Sequence, residues 1–207
     1  FLHYLDLGPQ IQSLKKFTKF AEEGNNAQLN MDVFSLEKDI DKSGKISDFL
    51  SVGDKIPVQI AKEPINTKGP RITADISFAG RYSVLVPFSN KISVSQKIKS
   101  SEERRRLKLL LQSIKPNNFG VIIRTVAEGK KVAELDADLK TLLNKWHSMT
   151  HVINSNNGPS KLISELDRTS VVLRDILNES FNGIYIDDSN LYEEIKSFIS
   201  TIAPQKN

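Results

Sequence analysis

Apolar residues recur along the chain at two different spacings, and each spacing predicts one kind of secondary structure. Apolar residues three and four positions apart form one face of an α-helix, whereas alternation of apolar and polar residues is typical of a half-buried strand. The helical spacing predicts helices at 11–22, 101–114, 131–152, 168–178 and 190–202. Alternation and short β-rich runs predict strands at 56–60, 71–78, 82–86, 92–98, 119–126, 161–165 and 184–186.

The remaining segments are predicted to be turns, loops and one excursion. Residues 1–10 are interpreted as the end of a strand followed by a turn at Gly8-Pro9. Residues 23–47 are polar and are expected to lie outside the core, as a mobile excursion. The short central strands form a meander, and the C-terminal part alternates strand and helix as an α/β layer does. The predicted fold class is therefore α+β.

The amino-acid composition adds to the predicted fold mainly by excluding several kinds of chemistry and a transmembrane helix. Of the 207 residues, 39% are hydrophobic and 26% are charged, which is typical of a folded chain. The absence of cysteine excludes disulfides, thiolate zinc sites and cysteine nucleophiles. No apolar run approaches the length of about 20 residues that a transmembrane helix needs, so no membrane association is expected. The chain opens at Phe1 without a methionine, which suggests an internal piece of something longer.

Charge is distributed unevenly along the chain. The net charge of +4 divides into −1 for residues 1–70, +8 for residues 71–125 and −3 for residues 126–207. A strongly basic centre between acidic flanks indicates an anionic partner, with phosphate-bearing ligands as the obvious candidates. Arg71, Arg81 and Lys97 of the basic meander are candidate contacts for such a ligand. A solvated basic face without a partner remains the alternative.

Three motifs in the sequence resemble metal-binding or carboxylate sites, but each lacks a residue or a geometry that such a site requires. The loop at 39–47 has the oxygen spacing of an EF-hand, but Leu50 stands where a bidentate glutamate should close the site, so we interpret it as a polar loop. His147 and His151 have metal-ligand spacing but lack the glutamate of a metalloprotease, and they are expected to be surface residues. Asp187 and Asp188 point to opposite faces if they end a strand, so structural or helix-capping roles are expected.

Arg124 and Thr125, at the end of a predicted strand, form a more informative candidate site for ligand binding. A forked guanidinium, a hydroxyl and backbone amides together suit a terminal phosphate, because many donors can converge on an exposed group. Gly80 permits close backbone approach of the same ligand. The alternative is that Arg124 pairs with an acid such as Glu128 and that Gly80 is only a turn residue. From the residues alone, the chain is interpreted as a binding module with no catalytic or metal-binding residues of its own.

Separated blocks in matching order make the chain resemble the ribonuclease E/G family of bacterial endoribonucleases. The blocks are KEPINTKGPRITADISFAGRY at 62–82, VLVP at 84–87, EER at 102–104, FGVIIRT at 119–125, Trp146, LRD at 173–175 and IYIDD at 184–188. The resemblance extends from about residue 55 to the C-terminus and, more weakly, over 1–10.

The resemblance implies a division into three parts. Residues 1–74 would be the later part of an OB-fold RNA-binding domain, a β-barrel, with a polar insertion at 11–47. Residues 75–169 would form an α+β 5′-sensor domain, and residues 170–207 would be part of an RNase-H-like α/β subdomain. The 5′-monophosphate pocket of the family falls on Gly80, Val84, Arg124 and Thr125, where the first two would contribute backbone groups.

Single-stranded RNA contacts follow from the same resemblance. Phe1 would stack on a base and Lys68 would contact RNA from its loop. The sequence departs from the family at Ser95-Gln96-Lys97, where relatives often carry a doubly basic pair after the serine, and a weaker grip on the RNA backbone is expected.

The resemblance also implies properties of a parent protein. The parent would be a cytoplasmic, homo-oligomeric endoribonuclease that cleaves single-stranded RNA in rRNA processing and mRNA decay. Its active site would use magnesium held by aspartates beyond position 207, so this chain is expected to bind 5′-monophosphorylated RNA ends without cofactor and without cleaving them. A non-catalytic protein-interaction scaffold, with the acidic helices as docking faces, is the alternative.

Overall fold

A computed structural model of the chain describes residues 1–155, 159–164, 168–177 and 181–202. The chain forms two compact units, Phe1–Leu162 and Ile163–Asn207. The helices within the described ranges are α1 (Ile11–Glu22), α2 (Ser101–Ile114), α3 (Val132–Ser155), α4 (Arg168–Ile176) and α5 (Ser189–Ile202). The strands are β1 (Gln59–Lys62), β2 (Arg71–Thr73), β3 (Phe78–Ala79), β4 (Ser83–Pro87), β5 (Ile92–Val94) and β6 (Phe119–Ile123). This mixture confirms the α+β prediction, while the OB-fold and RNase-H-like identities stay predictions.

The first unit contains two sheets. β1 and β2 form an antiparallel pair, and the larger sheet has the strand order β3-β4-β6-β5. β4 runs antiparallel to both β3 and β6, whereas β5 runs parallel to β6. Parallel neighbours need a crossover connection, and α2 supplies it between β5 and β6. The chain therefore leaves the end of β5, passes through α2 and returns along the same sheet.

Helices α2 and α3 form where their apolar stripes predict them. The Ser100 hydroxyl accepts a 3.2 Å hydrogen bond from the Glu103 backbone N–H and caps α2. Leu107 and Leu111 are fully buried on one face of α2. The buried face of α3 consists of Leu135, Leu139, Leu142, Trp146, Met149 and Ile153.

The core of the first unit is centred on Trp146 of α3. Its ring lies 5.1 Å from the Phe17 ring of α1 and 5.5 Å from the Phe88 ring, measured between centroids. Phe119 of β6 completes an edge-on contact at 5.6 Å. Aromatic pairs at these distances stabilise a core beyond the area that they bury. The indole therefore joins α1, α3 and the larger sheet into one core.

The prediction that residues 23–47 lie outside this core is wrong for part of the segment. Leu29, Met31 and Phe34 are buried, and the Phe34 ring packs 5.5 Å from that of Phe88. The Asn118 amide donates hydrogen bonds of 2.7 Å to the Met31 carbonyl and 2.6 Å to the Phe34 carbonyl. These bonds satisfy backbone groups that burial removes from water, which is why a segment poor in apolar residues can still enter the core.

Several strands are shorter than the patterns predict, and one is replaced by a helix. The strand expected within 1–10 is instead a 3₁₀ helix at Tyr4–Leu7, capped by the His3 side chain. Thr73 ends the first part of the predicted 71–78 strand, and the chain re-enters strand conformation at Phe78–Ala79 in the other sheet. Residues 124–126 leave β6, and Thr125–Ala127 form a 3₁₀ turn.

The second unit is helical in its described part. Leu173, Leu177 and Ile195 are buried within it, on and next to α4 and α5. Residues 161–164 and 184–186 form no strand, so both strand predictions are wrong there, while residues 165 and 178 lie outside the described residues. The Asp188 carboxylate accepts a 2.8 Å hydrogen bond from the Leu191 N–H and caps α5, which confirms a helix-capping role.

None of the helices in the described ranges is long and apolar enough to cross a membrane. The predicted boundaries at 74/75 and 169/170 stay predictions.

Candidate functional site

Gly80 and Arg124 are 44 residues apart in sequence and in direct contact in the fold. The Arg124 guanidinium donates a 2.8 Å hydrogen bond from Nη1 to the Gly80 carbonyl. The backbone N–H of Arg124 donates to the Tyr82 carbonyl at 2.9 Å, and the Gly80 N–H donates to the Ser83 carbonyl at 2.8 Å. The turn between β3 and β4 and the end of β6 are therefore fixed to each other.

Thr125 joins this corner of the sheet from the end of β6. Its hydroxyl forms a 3.0 Å hydrogen bond with the hydroxyl of Ser95, which follows β5. The Ser95 N–H donates to the Ile123 carbonyl at 2.9 Å and extends the parallel pairing. The Lys97 N–H donates to Ser95 Oγ at 3.3 Å, so the loop after β5 is held at the same place.

Val84 is the fourth residue of the predicted phosphate pocket, and it lies on β4 rather than in the turn. It pairs with Ala79 of β3 on one side and with Ile122 of β6 on the other. The register places Ser83 opposite Ile123, the residue before Arg124. The structure thus gathers the four predicted residues at one corner of the larger sheet, and phosphate binding there stays a prediction.

Asp138 of α3 organises this corner, although no sequence pattern singles it out. Its carboxylate accepts backbone hydrogen bonds from Arg81 at 2.8 Å, Tyr82 at 3.2 Å and Ser83 at 2.9 Å. The Ser83 hydroxyl adds a fourth bond at 2.7 Å. A carboxylate that accepts several backbone N–H groups holds a turn in one conformation, because each donor would otherwise need another partner.

A second carboxylate fixes the segment that follows Thr125. Glu103 accepts hydrogen bonds from the Arg106 guanidinium at 2.6 and 2.7 Å and from the Gly129 N–H at 2.8 Å. These bonds, led by those from Arg106, lower the pKa of Glu103 to about 2. Arg106 also donates to the Lys130 carbonyl at 3.0 Å. The start of α2 therefore holds the loop at 129–130.

Two cations lie over the aromatic ring of Tyr82 at this corner. The Lys130 ammonium and the Arg81 guanidinium each lie 5.7 Å from the ring centroid. Cations at such distances are attracted to the face of an aromatic ring. Lys130 also pairs with Glu134 at 3.2 Å. Positive charge is thus concentrated around the turn that Asp138 holds.

The other basic residues predicted to contact RNA differ in their surroundings. Arg71 forms a two-pronged ion pair with Asp6, with nitrogen–oxygen distances of 2.9 and 2.7 Å. This pairing lowers the pKa of Asp6 and raises that of Arg71. Arg71 therefore ties β2 to the N-terminal 3₁₀ helix, a structural role that the sequence did not reveal. Lys97 is exposed.

Phe1 and Lys68 lie near each other along one stretch of backbone. The Phe1 nitrogen donates to the Pro70 carbonyl at 2.6 Å, and its carbonyl accepts a 3.1 Å bond from the Ile72 N–H. The Phe1 side chain is 69% exposed. Lys68 is exposed in a turn, where its backbone N–H donates to the Ile65 carbonyl and its carbonyl accepts from the Ile65 N–H. An accessible aromatic ring therefore stands beside the loop that carries Lys68.

The loop at 39–47, whose spacing is that of an EF-hand, is engaged in structural contacts. Asp39 pairs with Lys91 at 3.1 Å, and the Tyr4 hydroxyl donates to the Asp41 carbonyl at 2.8 Å, so the loop at 39–47 packs as a polar loop. His147 and His151 are exposed, as predicted. Among the described residues, no group of three histidine, aspartate or glutamate side chains could hold a metal ion.

Comparison with known proteins gives a consistent result over most of the chain. A sequence model of the Ribonuclease E/G family matches residues 77–207. The chain is 37% identical over 154 residues to Ribonuclease E of a Nostoc species, covering 74% of this chain and 22% of that protein. It is 35% identical over 164 residues to Ribonuclease G of Haemophilus influenzae, covering 79% of this chain and 33% of that protein.

Ribonuclease G of Escherichia coli K12 is 36% identical over 163 residues, and the match covers 77% of this chain and 33% of that protein. The chain thus spans between about a fifth and a third of the length of the curated relatives that it matches.

Proposed function

The chain belongs to the ribonuclease E/G family, and we propose that it is the RNA-binding and 5′-monophosphate-sensing portion of an endoribonuclease. One observation supports the sensing role above all others. The Arg124 guanidinium is held against the Gly80 carbonyl at 2.8 Å, and the hydroxyl of the following residue, Thr125, is bonded to that of Ser95 at 3.0 Å. A positioned guanidinium and a hydroxyl at one sheet corner are the groups that a terminal phosphate needs.

The role of each residue follows from its position. Arg124 would supply charge and N–H donors to the phosphate, since its planar fork suits two phosphate oxygens at once. Thr125 would donate its hydroxyl, for which Ser95 remains as a second partner. Gly80 and Val84 would contribute backbone groups, and Asp138 would fix the conformation of the turn that lies between them.

The experiment that tests the sensing role compares RNA ends. We expect the chain to bind a short single-stranded RNA with a 5′-monophosphate more tightly than the same RNA with a 5′-hydroxyl or a 5′-triphosphate. Arg124→Ala should remove the preference, because the guanidinium recognises the end and not the chain. Equal affinities for all three ends, or an unchanged preference in Arg124→Ala, would contradict the proposal.

RNA beyond the 5′ end would contact the β1–β2 part of the first unit. Phe1 would stack on a base, because its ring is exposed, and Lys68 would neutralise a phosphate from the adjacent turn. Arg71 contributes here through its ion pair with Asp6, which holds β2 in place. Lys68→Gln should weaken binding of all RNAs equally, whatever their 5′ end, and a selective loss of monophosphorylated RNA would contradict this assignment.

Cleavage is proposed for the whole protein rather than for this chain. The magnesium that the resemblance implies does not fit the described residues, which offer no cluster of three carboxylate or histidine ligands, and no step of the reaction is assigned to them. The parent would be a cytoplasmic homo-oligomer acting in rRNA processing and mRNA decay. The chain alone should bind RNA without cutting it in the presence of magnesium or manganese, and cleavage by the purified chain would contradict this division.

A further inference from the structure

Eight of the eleven cations in the basic centre, residues 71–125, fall into two groups. Arg71, Lys91 and Arg106 each form an ion pair with a carboxylate. A second group is exposed, and none of its members makes an ion pair with any residue in the described ranges. This group, here called the cationic ridge, consists of Lys97, Lys99, Arg104, Arg105 and Lys108. The unpaired positive charge is thus concentrated in one short stretch.

The cationic ridge follows the chain from the loop after β5 into the start of α2. Lys97 and Lys99 lie in the loop that joins β5 to α2, and the other three residues lie in the first two turns of α2. Leu107 and Leu111 face the core, and Arg104, Arg105 and Lys108 are exposed on the remaining surface of α2. Arg104 and Lys108 are four residues apart, so they lie on the same side of α2, about 6 Å apart along its axis.

The cationic ridge begins next to the proposed phosphate site. The Lys97 N–H donates to Ser95 Oγ, and Ser95 Oγ in turn bonds to Thr125 Oγ1. Two hydrogen bonds therefore connect the first cation of the ridge to a residue of that site. We propose that the cationic ridge binds the phosphate backbone of the RNA as it leaves the 5′-end site, an inference that rests on the proposed function.

The composition of the ridge favours an RNA backbone over an acidic protein. Residues 97–112 contain no aromatic side chain, whereas the centres of protein interfaces are enriched in aromatic residues. Without aromatic rings, the ridge has no aromatic platform on which bases could stack, and its lysines and arginines offer charge and N–H donors to phosphate groups. Binding should therefore be independent of base sequence and strongly dependent on salt.

The test compares two variants that lose the same charge. In the ridge variant, R104Q/R105Q/K108Q, three exposed cations of α2 are replaced. In the control variant, K19Q/K42Q/K140Q, three exposed lysines elsewhere in the first unit are replaced. The affinities of both for RNA of about ten nucleotides, a footprint typical of single-strand binding, are measured over a range of salt concentrations. Each RNA is used with a 5′-monophosphate and with a 5′-hydroxyl.

The ridge variant should show a shallower salt dependence than the control variant. Three lost phosphate contacts would reduce the slope of log affinity against log salt by about 2 and weaken binding by up to about 100-fold at 0.1 M salt. The ratio of the affinities for the 5′-monophosphate and 5′-hydroxyl RNAs should stay as in the parent chain, which here means the unsubstituted chain of 207 residues, because Arg124 is intact.

Equal slopes for the ridge and control variants would overturn the inference. Binding of polyglutamate as tight as that of RNA, and equally sensitive to the ridge substitutions, would overturn it in favour of an acidic protein partner. Absence of any end preference in the parent chain would contradict the proposed function but not the ridge, since the slope is also measured on the 5′-hydroxyl RNA.

Discussion

Asp138 occupies the space that a side chain at position 80 would need. A Cβ atom built on Gly80 would lie 2.6 Å from Asp138 Oδ1, closer than real Cβ contacts approach. The same carboxylate holds the backbone N–H groups of residues 81–83. Helix α3 therefore determines both the identity of residue 80 and the shape of the turn that Arg124 contacts.

Gly80→Ala should destabilise the chain because the new methyl group collides with a carboxylate that four hydrogen bonds hold in place. A loss of about 1–3 kcal/mol in the free energy of unfolding is expected, as for other overpacked sites. Gly69→Ala is the matched control, because no atom lies within 4 Å of the added Cβ. In the Asp138→Ala background the cost of Gly80→Ala should shrink, and an equal cost in both backgrounds would show that the collision is not its cause.

Ser83→Ala and Asp138→Asn should differ in their effect on the same turn. Ser83→Ala removes one donor and leaves the three backbone bonds to Asp138, so a loss of about 1 kcal/mol is expected. Asp138→Asn replaces an acceptor oxygen by an NH₂ group that faces backbone donors, which should cost about 1–3 kcal/mol. Chemical denaturation measures both, and a larger loss for Ser83→Ala would contradict the assigned role of Asp138.

The stability of the chain should depend on pH through Glu103. Its pKa falls from 4.5 to about 2 in the folded chain, so the unfolded chain binds a proton at higher pH than the folded chain does. The stabilisation is complete above about pH 4.5 and is lost as the pH falls towards 2. Between about pH 4.5 and 2, the free energy of unfolding should fall more steeply for the parent chain than for Glu103→Gln.

Glu102→Gln is the control for this pH dependence, since Glu102 is a neighbouring exposed carboxylate on α2. It should retain the acid sensitivity of the parent chain. Loss of that sensitivity in Glu102→Gln, or an undiminished acid sensitivity in Glu103→Gln, would show that another group is responsible.

Phe34→Ala tests whether the segment at 23–47 belongs to the core. Phe34 is 5% exposed and contacts the rings of Phe17 and Phe88, so truncation should cost about 3–5 kcal/mol. Its neighbour Val33 is 69% exposed, and Val33→Ala should change stability by no more than about 0.5 kcal/mol. Similar small losses of stability for both substitutions in thermal or chemical unfolding would contradict the burial of Phe34 and would place this segment outside the core, as the sequence predicts.

Local patterns predicted the helices of the first unit well. Helices α2 and α3 follow from apolar stripes that repeat with the period of the helix, and such stripes depend on the helix's own residues. Strand ends were predicted less accurately: β6 ends at Ile123 because Arg124 turns away to bond Gly80 and Tyr82. That contact depends on the register of β3, β4 and β6, which spacing along one strand does not encode.

The residues that support the candidate site cannot be predicted from the sequence either, because their contacts join positions that are far apart along the chain. Asp138 lies 55–57 residues from its three backbone donors, on a helix whose pattern predicts only which face is apolar. Arg71 resembles a ligand contact in sequence, and only the fold shows that Asp6 pairs with it. Phe34 enters the core because Asn118 satisfies nearby backbone carbonyls, a contact across 84 residues. Long-range pairing of polar groups leaves no local periodicity to detect.

The central proposal is that Arg124 recognises a 5′-monophosphate. The most direct measurement is a thermodynamic cycle in which the parent chain and Arg124→Gln each bind RNA with a 5′-monophosphate and with a 5′-hydroxyl. The phosphate is expected to strengthen binding to the parent chain and to have little effect on Arg124→Gln, while Arg81→Gln should weaken binding of both RNAs equally. A phosphate contribution of the same size in the parent chain and in Arg124→Gln would contradict the proposal.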